Sequence, residues 1–282
     1  MAKPGSILLL VISLFLTGCA TFMGAPYSSI PNRRGDAPSG SEFSSMILNM
    51  KEGKRESHIL KEFRRGNIPS HLRDLREITL SQTIRGNKVE ASIWVMPDYL
   101  AIGSSSNFIR IPMNPITAQR IADHYGFVLP TKKMVDQIYK QAELKLSPQP
   151  FRPGPHMVST KQYIKHNNLI EKQLDSSSHG LILAGHKKDV VLSNRLLRKP
   201  RRVAIYGWHR KNGRAIQPLS TIHGNHYADY SHGIRLVAGT MTVNGREIPV
   251  AEVLQDKNLA PIISDEGVLR YTRIKTEGAL RR

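Results

Sequence analysis

The sequence predicts an α+β fold, and three observations support this prediction. Charged, helix-period segments dominate the first half of the chain, short alternating segments typical of strands dominate the second half, and no internal repeat is visible. Helices and strands that are grouped in the sequence, without regular alternation, are typical of α+β proteins. We therefore expect one mixed domain over residues 43–275, helical or mixed over 43–178 and strand-rich over 179–260.

The first half of this domain begins with charged segments. Residues 43–80 carry closely spaced Lys, Arg and Glu side chains and favour one or two helices, with breaks near Gly66 and Pro69. The apolar positions then change to a period of two over residues 89–95, which predicts a strand. Two further short strands, on either side of a serine-rich turn, are predicted at 99–102 and 108–111.

Helices with clear start signals follow. Asn114 and Pro115 are a favourable N-cap and first helical residue, and Gly126 predicts the end of this helix. A second helix begins at Pro130-Thr131, and a third is predicted over 159–175. The apolar residues of the second helix recur every three to four positions and favour a core-facing stripe rather than a ligand site: Met134, Val135, Ile138, Tyr139 and Ala142.

Hairpin signals mark the second half of the chain. The Asn-Gly pairs at 212–213 and 244–245 predict tight turns between antiparallel strands. Short apolar segments that favour strands surround them, at 181–184, 189–192, 203–206, 233–237 and 246–250. A short helix is predicted over 250–256.

The N-terminus carries an export signal. Lys3 precedes an apolar run over residues 7–16, which is shorter than the ~20 residues of a membrane-spanning helix. A basic start, a short apolar run and small residues before a cleavage site are typical of cleaved signals. The segment Leu16-Thr17-Gly18-Cys19 resembles the lipobox of bacterial lipoproteins, which implies that residues 1–18 are removed and that Cys19 is acylated, palmitate being among the attached chains.

This resemblance implies where the protein works. Several acyl chains on Cys19 would hold the mature chain stably on a membrane. Ala20 follows the cysteine, and by resemblance this favours the outer membrane, facing the periplasm. Residues 19–42 are rich in Gly, Pro and Ser and predict a flexible tether. Because Cys19 is the only cysteine, the mature chain would have no disulfide, no cysteine–zinc site and no thiol nucleophile.

The chain is strongly basic, with a formal net charge of +19. Such a charge attracts polyanions through long-range fields. For an exported lipoprotein these would be lipid phosphates, lipopolysaccharide or the carboxylates of peptidoglycan, whereas nucleic acid is not expected as a partner. The alternative is that the basic residues form an ordinary solvated surface and bind no particular partner.

Histidines are concentrated in one region that also contains aspartates. Of 11 histidines, eight lie between His156 and His232, and several follow predicted strands beside glycine. Side chains at strand ends and in turns are well placed to point into a cleft. The candidate catalytic residues are His186, Asp189, His209, Asp229 and His232.

Two chemistries are compatible with these residues. His186, His209 and His232 could bind a divalent metal such as zinc that activates water, although no recognised zinc spacing is present. Alternatively, a histidine oriented by Asp189 or Asp229 acts as a base without metal, and Lys188 or Arg235 stabilises negative charge. Ser220 and Ser231 lack the Gly-x-Ser-x-Gly context of a nucleophile. The remaining alternative is that these histidines are structural.

A short C-terminal motif resembles the signature of L,D-transpeptidases. His223-Gly224 is followed by Ser231-His232-Gly233-Ile234-Arg235, but the nucleophilic cysteine that this family places between Gly and Ile is absent. The resemblance implies a β-rich domain that acts on peptidoglycan, with His223, His232 and Arg235 handling substrate; the missing thiol excludes the family's acyl-enzyme. Residues 93–237 are also similar to uncharacterised exported bacterial proteins.

Two functions follow as expectations. The first is a lipid-anchored hydrolase that acts on peptidoglycan or a related wall polymer through the His/Asp cluster, with Lys188, His223 and Arg235 binding substrate. The second is a non-catalytic envelope-binding or structural lipoprotein, in which the basic surface binds wall or lipid anions and the histidines are structural.

Overall fold

The computed structural model describes residues 29–276 and has the α+β fold that the sequence predicts. The signal peptide, Cys19 and residues 19–28 of the predicted tether lie outside the described residues, as do residues 277–282. The helices are α1 (Gly40–Ile47), α2 (Glu52–Arg64), α3 (Pro115–Tyr125), α4 (Lys132–Gln141), α5 (Thr160–Glu171), α6 (Val250–Gln255) and α7 (Ala260–Ile263).

The strands form two larger sheets and two short pairs. They are β1 (Arg76–Ile84), β2 (Asn87–Val95), β3 (Ala101–Ser104), β4 (Asn107–Arg110), β5 (Phe127–Val128), β6 (Leu144–Lys145), β7 (Leu183–Ala184), β8 (Lys188–Val190), β9 (Ile205–His209), β10 (Ala215–Ser220), β11 (His232–Gly233), β12 (Val237–Val243) and β13 (Arg246–Pro249).

The first larger sheet joins the two halves of the chain. Its order is β1-β2-β12-β13, with β5 also paired to β12. In β1 and β2 the apolar side chains alternate with exposed polar ones, as an antiparallel sheet with one buried face requires. The register places Met241 of β12 opposite Ile93 of β2, so the late strand completes a sheet that begins early in the sequence.

The second larger sheet has the order β10-β9-β8-β11 and carries most of the predicted site residues. Strand β8 is antiparallel to β9, with Lys188 opposite Gly207, and parallel to β11, with Lys188 opposite His232. The remaining strands pair as β3–β4 and β6–β7. Helix α4 packs against both β1 and β9 and so contacts both larger sheets.

Most element predictions are confirmed. Asn114 accepts a hydrogen bond from the Thr117 backbone N–H at the start of α3, and Gly126 ends this helix in the left-handed region. Thr131 caps α4 in the same way. Both Asn-Gly turns join antiparallel strands, β9 to β10 and β12 to β13.

Two predictions differ from the structure. The charged segment predicted as helical over 43–80 is α-helical only to Arg64. A short 3₁₀ helix follows at Ser70–Arg73, and the last part is β1, in which alternating polar residues form the exposed face. Residues 29–42, predicted as part of the tether, pack against the domain. Ile30 is buried, Arg33 donates to Asn67, and Ser39 forms a capping box with Glu42 at the start of α1.

A single main hydrophobic cluster extends from Ile30 to Ile274 and includes residues from both larger sheets. Within residues 29–276, no helix combines the length and apolar composition that crossing a bilayer requires.

Candidate functional site

The sheet β10-β9-β8-β11 brings the predicted site residues into one region but not into one cluster. His186 precedes β8, Asp189 lies within it, His209 ends β9, and Asp229 precedes His232 of β11. Each of these side chains has its own neighbours. The predicted cluster is therefore divided into four local arrangements.

The first arrangement pairs His186 with an aspartate that the sequence did not indicate. His186 Nε2 lies 3.0 Å from Asp98 Oδ1, and Arg110 Nε donates to Asp98 Oδ2 at 2.6 Å. Burial opposes the charge of Asp98, but Arg110 and His186 outweigh it and hold the pKa of Asp98 well below its usual range. Burial lowers the pKa of His186 to about 4, against the opposing effect of Asp98. His186 is therefore neutral at pH 7, and its Nδ1 has no hydrogen-bond partner.

The second arrangement contains Asp189, Tyr99 and Arg235. Tyr99 donates its hydroxyl to Asp189 Oδ2 at 2.8 Å, and Asp189 Oδ1 is buried without a partner. Burial raises the pKa of Asp189 to about 6, with Arg235 and Tyr99 opposing the rise. Arg235 is itself buried and donates to the carbonyls of Met96 and Leu183, while its guanidinium lies 4.6 Å from the centre of the Tyr99 ring. The predicted substrate-binding role of Arg235 does not fit these contacts, because the side chain is committed to holding the fold.

The third arrangement places His209 beside helix α4. His209 Nε2 lies 3.3 Å from Asp136 Oδ1, which also accepts from Tyr206 at 2.7 Å. The Tyr139 ring stacks on His209 with 4.4 Å between ring centres. Burial opposes the charge of Asp136, but its hydrogen bonds with His209, Lys132 and Tyr206 lower its pKa to about 2. Asp136 fixes His209 on a lysine-rich cleft, away from the other predicted catalytic residues.

The fourth arrangement surrounds His232. This side chain is fully buried, and neither ring nitrogen has a hydrogen-bond partner. Burial lowers its pKa to about 4, while the nearby Asp229 carboxylate opposes the shift. Burial also opposes the charge of Asp229, but His232, Lys188 and hydrogen bonds from Ser231 together hold the pKa of Asp229 below its usual value. At neutral pH the site therefore combines a neutral imidazole, a carboxylate and a lysine.

Asp229 is held by short local hydrogen bonds. Its Oδ1 accepts from the Ser231 backbone N–H at 2.8 Å and from the Ser231 hydroxyl at 2.5 Å, and its Oδ2 accepts from the Tyr227 hydroxyl at 3.2 Å. Ser231 donates to an aspartate rather than to a histidine, so it is not activated as a nucleophile. Ser220, the other serine considered, lies at the end of β10.

Two half-buried rings precede His232 in the sequence, with Tyr227 in contact with it and His223 on the far side of Tyr227. The Tyr227 ring lies edge-on to His232 with 5.8 Å between centres, and His223 stacks on Tyr227 at 4.2 Å. Ile222, next to this pair, is 73% exposed. His232 itself is fully buried, so a substrate can reach its imidazole only when residues around it, such as Tyr227, move.

Strand β9 has two residues with positive φ. Gly207 has φ +106° and Trp208 has φ +57°, a left-handed conformation that is rare for a bulky side chain. Such strain costs about 1–3 kcal/mol and is found most often at functional sites. Trp208 Nε1 is buried without a partner, and the centre of the Trp208 ring lies 5.0 Å from Lys188 Nζ.

A buried lysine adjoins these residues. Lys187 is fully buried, and its Nζ donates to the Tyr230 carbonyl at 2.8 Å and lies 3.4 Å from His166 Nδ1. Burial lowers the pKa of Lys187 to about 7, and Arg110 contributes in the same direction. Burial and the adjacent Lys187 also lower the pKa of His166 far below its usual value, and His166 Nε2 has no partner.

The predicted metal site is not formed. His186, His209 and His232 have separate surroundings, and within residues 29–276 no three His, Cys, Asp or Glu side chains are arranged to hold a metal ion. The carboxylates that lie beside His186 and His209 are not among the aspartates that the sequence indicates. The sequence does not indicate Asp98, Asp136 or His166; the position of Asp98 in the loop that follows β2, three residues after Val95, is the one signal that could indicate it.

No protein-family model, curated protein or solved structure matches this chain. The geometry of the site is therefore the basis for a functional interpretation.

Proposed function

We propose that this protein is a lipid-anchored cell-envelope hydrolase that acts on peptidoglycan or a related wall polymer by acid–base catalysis without a metal. His232 is the base, Asp229 stabilises the imidazolium that forms, and Lys188 stabilises negative charge on the substrate. The observation that carries the proposal is the His232 ring, which is buried beside a carboxylate with both nitrogens unpartnered.

The chemistry follows from the charges at the site. Because the pKa of His232 is lowered by burial, the imidazole is neutral at pH 7 and has a nitrogen able to accept a proton from water or a hydroxyl. A buried polar atom without a partner costs about 1–3 kcal/mol. A bound substrate would satisfy this nitrogen, so binding would recover part of that free energy.

The place of action rests on the sequence. The signal peptide and Cys19 resemble those of lipoproteins, and this supports acylation, membrane attachment and an extracytoplasmic location at the outer membrane. The resemblance of residues 223–235 to the L,D-transpeptidase motif supports a wall polymer as the substrate class. His223, which stacks on the Tyr227 ring, would contact substrate when Tyr227 moves away from His232.

The experiment uses the full chain, purified in detergent and incubated with peptidoglycan sacculi, with released fragments separated by chromatography and identified by mass. We expect products that persist in chelator, at least 100-fold fewer products with His232→Gln, and at least tenfold fewer with Asp229→Asn. His209→Gln is the matched control, because His209 lies in a separate arrangement, and it should retain activity. Circular dichroism melting establishes that each variant is folded.

Other outcomes would contradict the proposal. Activity that a folded His232→Gln variant retains would exclude His232 as the base, and activity that chelator abolishes would require a metal site that the described residues do not form.

The second candidate is a non-catalytic envelope-binding protein, and one observation favours it. The cleft beside His209 has a volume of about 380 Å³ and is lined by Lys140, Lys145 and Lys211. These cations suit a wall or lipid anion. No products, together with co-sedimentation with sacculi that is lost above about 0.3 M salt, would favour this function, since salt screens exposed charges.

A further inference from the structure

A cleft beside helix α2 contains two glutamates that the proposed mechanism does not use. It lies between α2 and the first turn of α3 and has a volume of about 410 Å³. The polar residues that line it are Glu52, Glu56, Ser57, Asn114, Thr117, Arg120 and His226. Glu52 and Glu56 are one helical turn apart, so both side chains lie on the same face of α2.

Both glutamates have a buried carboxylate oxygen without a hydrogen-bond partner. Glu56 is only 6% exposed; its Oε1 accepts from the Asn114 backbone N–H at 3.2 Å, whereas its Oε2 has no donor. Glu52 Oε1 is also buried without a donor. The hydrogen bond at the start of α3 gives Glu56 Oε1 a structural role. It does not explain why Glu56 Oε2 and Glu52 Oε1 are buried without a donor.

The nearest arginine does not satisfy these oxygens. Arg55 donates through Nη1 to the Val158 carbonyl at 2.8 Å and through Nη2 to the Tyr163 hydroxyl at 3.0 Å. Tyr163 in turn donates to the Ala228 carbonyl at 2.7 Å. The Arg55 guanidinium therefore connects α2 to the start of α5 and, through Tyr163, to the turn before β11. Within the described part of the chain, neither glutamate forms an ion pair with a lysine or arginine.

We propose that this cleft binds the primary ammonium group of a ligand through Glu52 Oε1 and Glu56 Oε2. An ammonium carries one charge and three donors, which suits two neighbouring acceptor oxygens with room for a third contact. A metal ion fits less well, because Glu52, Glu56 and His226 line the same cleft but are not arranged to hold a metal ion, and no three such side chains are so arranged within the described residues. An acidic cleft on a basic protein would also select cations against the anions that the rest of the surface attracts.

The protonation of Glu56 makes the proposal testable by pH. Burial raises the pKa of Glu56 to about 7, with Thr117, Asn114 and Arg55 opposing the rise. Burial likewise raises the pKa of Glu52, against the effects of Arg55 and His226. The other charged or titratable groups around Glu56 are Arg120 on α3, Tyr163 on α5 and His226 before β11. Because an ammonium binds the ionised carboxylate, affinity should rise with pH up to about 7 and then level off.

The experiment measures binding to the full chain in detergent by titration calorimetry. The probes are cadaverine, which has two primary ammonium groups, and 1,5-pentanediol, a neutral molecule of the same length. We expect saturable binding of cadaverine only, weakened about tenfold between pH 8 and pH 6 and at least tenfold by Glu52→Gln or Glu56→Gln. Glu77→Gln, which removes the same charge at an exposed position of β1, is the matched control and should bind like the natural chain.

Three results would overturn the proposal: no saturable cadaverine binding at pH 8, binding that neither glutamine variant weakens, or calcium chloride that binds the same glutamates more tightly than cadaverine. A melting curve for each variant separates a lost site from a lost fold. Since these residues take no part in the sacculus assay, the outcome is independent of the proposed hydrolase activity.

Discussion

At the residue scale, the protein buries ionisable groups in unusual protonation states. His186 and His232 are neutral at pH 7, Lys187 holds its proton weakly, and Asp189 holds its proton more tightly than usual. Burial is the largest cause in each case. Such groups are found in ion-pair networks as well as in active sites, but buried atoms without partners favour the second interpretation at His232.

The His232 ring should titrate near pH 4 rather than near 6.5. Because the folded protein binds this proton less tightly than the unfolded chain, the contribution of His232 to stability is complete above pH 6.5 and is lost as pH falls toward 4. Long-range ¹H–¹⁵N NMR of the ring gives the midpoint. In Asp229→Asn the midpoint should fall further, because the opposing carboxylate charge is removed; a midpoint near 6.5 in the natural chain would contradict the buried, unpaired state.

Replacing Lys187 with methionine should stabilise the protein. At pH 7 we expect a gain of about 1–3 kcal/mol in the free energy of unfolding, because the cost of burying an ammonium exceeds the lost hydrogen bond to Tyr230. The gain should be largest at and below pH 7 and should shrink as pH rises toward 10.5. Urea unfolding measures it, and Lys161→Met, at an exposed position, should change stability by less than about 0.5 kcal/mol. A Lys187→Met variant less stable than the natural chain at every pH would show that the hydrogen bonds dominate.

At the element scale, turns and caps could be predicted from the sequence, whereas strand partners could not. Asn114, Thr131 and the two Asn-Gly pairs act through neighbours a few residues away, so their elements were predicted correctly. Strand β1 was missed because its polar residues form an exposed face that is recognisable only once β2 lies beside it. Local signals report local structure, and β pairing is not local.

The same reason explains why the carboxylate partners of the histidines could not be predicted from the sequence. The sequence indicates only Asp189 and Asp229 as partners of a histidine, but the carboxylates beside His186 and His209 are Asp98 and Asp136, 88 and 73 residues away in the sequence. Asp229 and His232 are the exception, because the tight turn before β11 keeps these two neighbours in sequence close in space. Long-range register, rather than residue type, decides which carboxylate meets which imidazole.

The glycine that precedes His186 is required by crowding as well as by conformation. Gly185 has φ +96°, and a Cβ there would lie 2.6 Å from the Leu146 carbonyl oxygen. Gly245 has φ +76°, but a Cβ there would meet nothing within 4 Å. We expect Gly245→Ala to cost about 1 kcal/mol and Gly185→Ala about 2–4 kcal/mol in urea unfolding. Equal losses of stability in the two variants would mean that the backbone before β8 can shift to accommodate the added methyl group.

At the scale of the whole molecule, the segment before α1 belongs to the domain. Ile30 packs in the main core, Arg73 donates to the Pro31 carbonyl at 2.6 Å, and Ser39 caps α1. Deleting residues 29–39 from the full chain should lower the melting temperature by roughly 5–15 °C, since a buried isoleucine, several hydrogen bonds and a helix cap are lost. Ile30→Ala should give part of that loss. An unchanged melting temperature would restore the prediction of a tether.

Pairing of β12 with β2 also sets the order in which the chain can fold during synthesis. Met241 and Ile93 are neighbours in the sheet but are separated by almost 150 residues in the sequence. At about 5–20 residues per second, a ribosome needs roughly 7–30 s to make the missing strand. During that time the edge of β2 that later pairs with β12 has no partner strand, and an unpaired strand edge can form hydrogen bonds with other chains and cause aggregation. The yield of folded protein should therefore depend on translation speed between these two strands and on chaperones that hold the nascent chain.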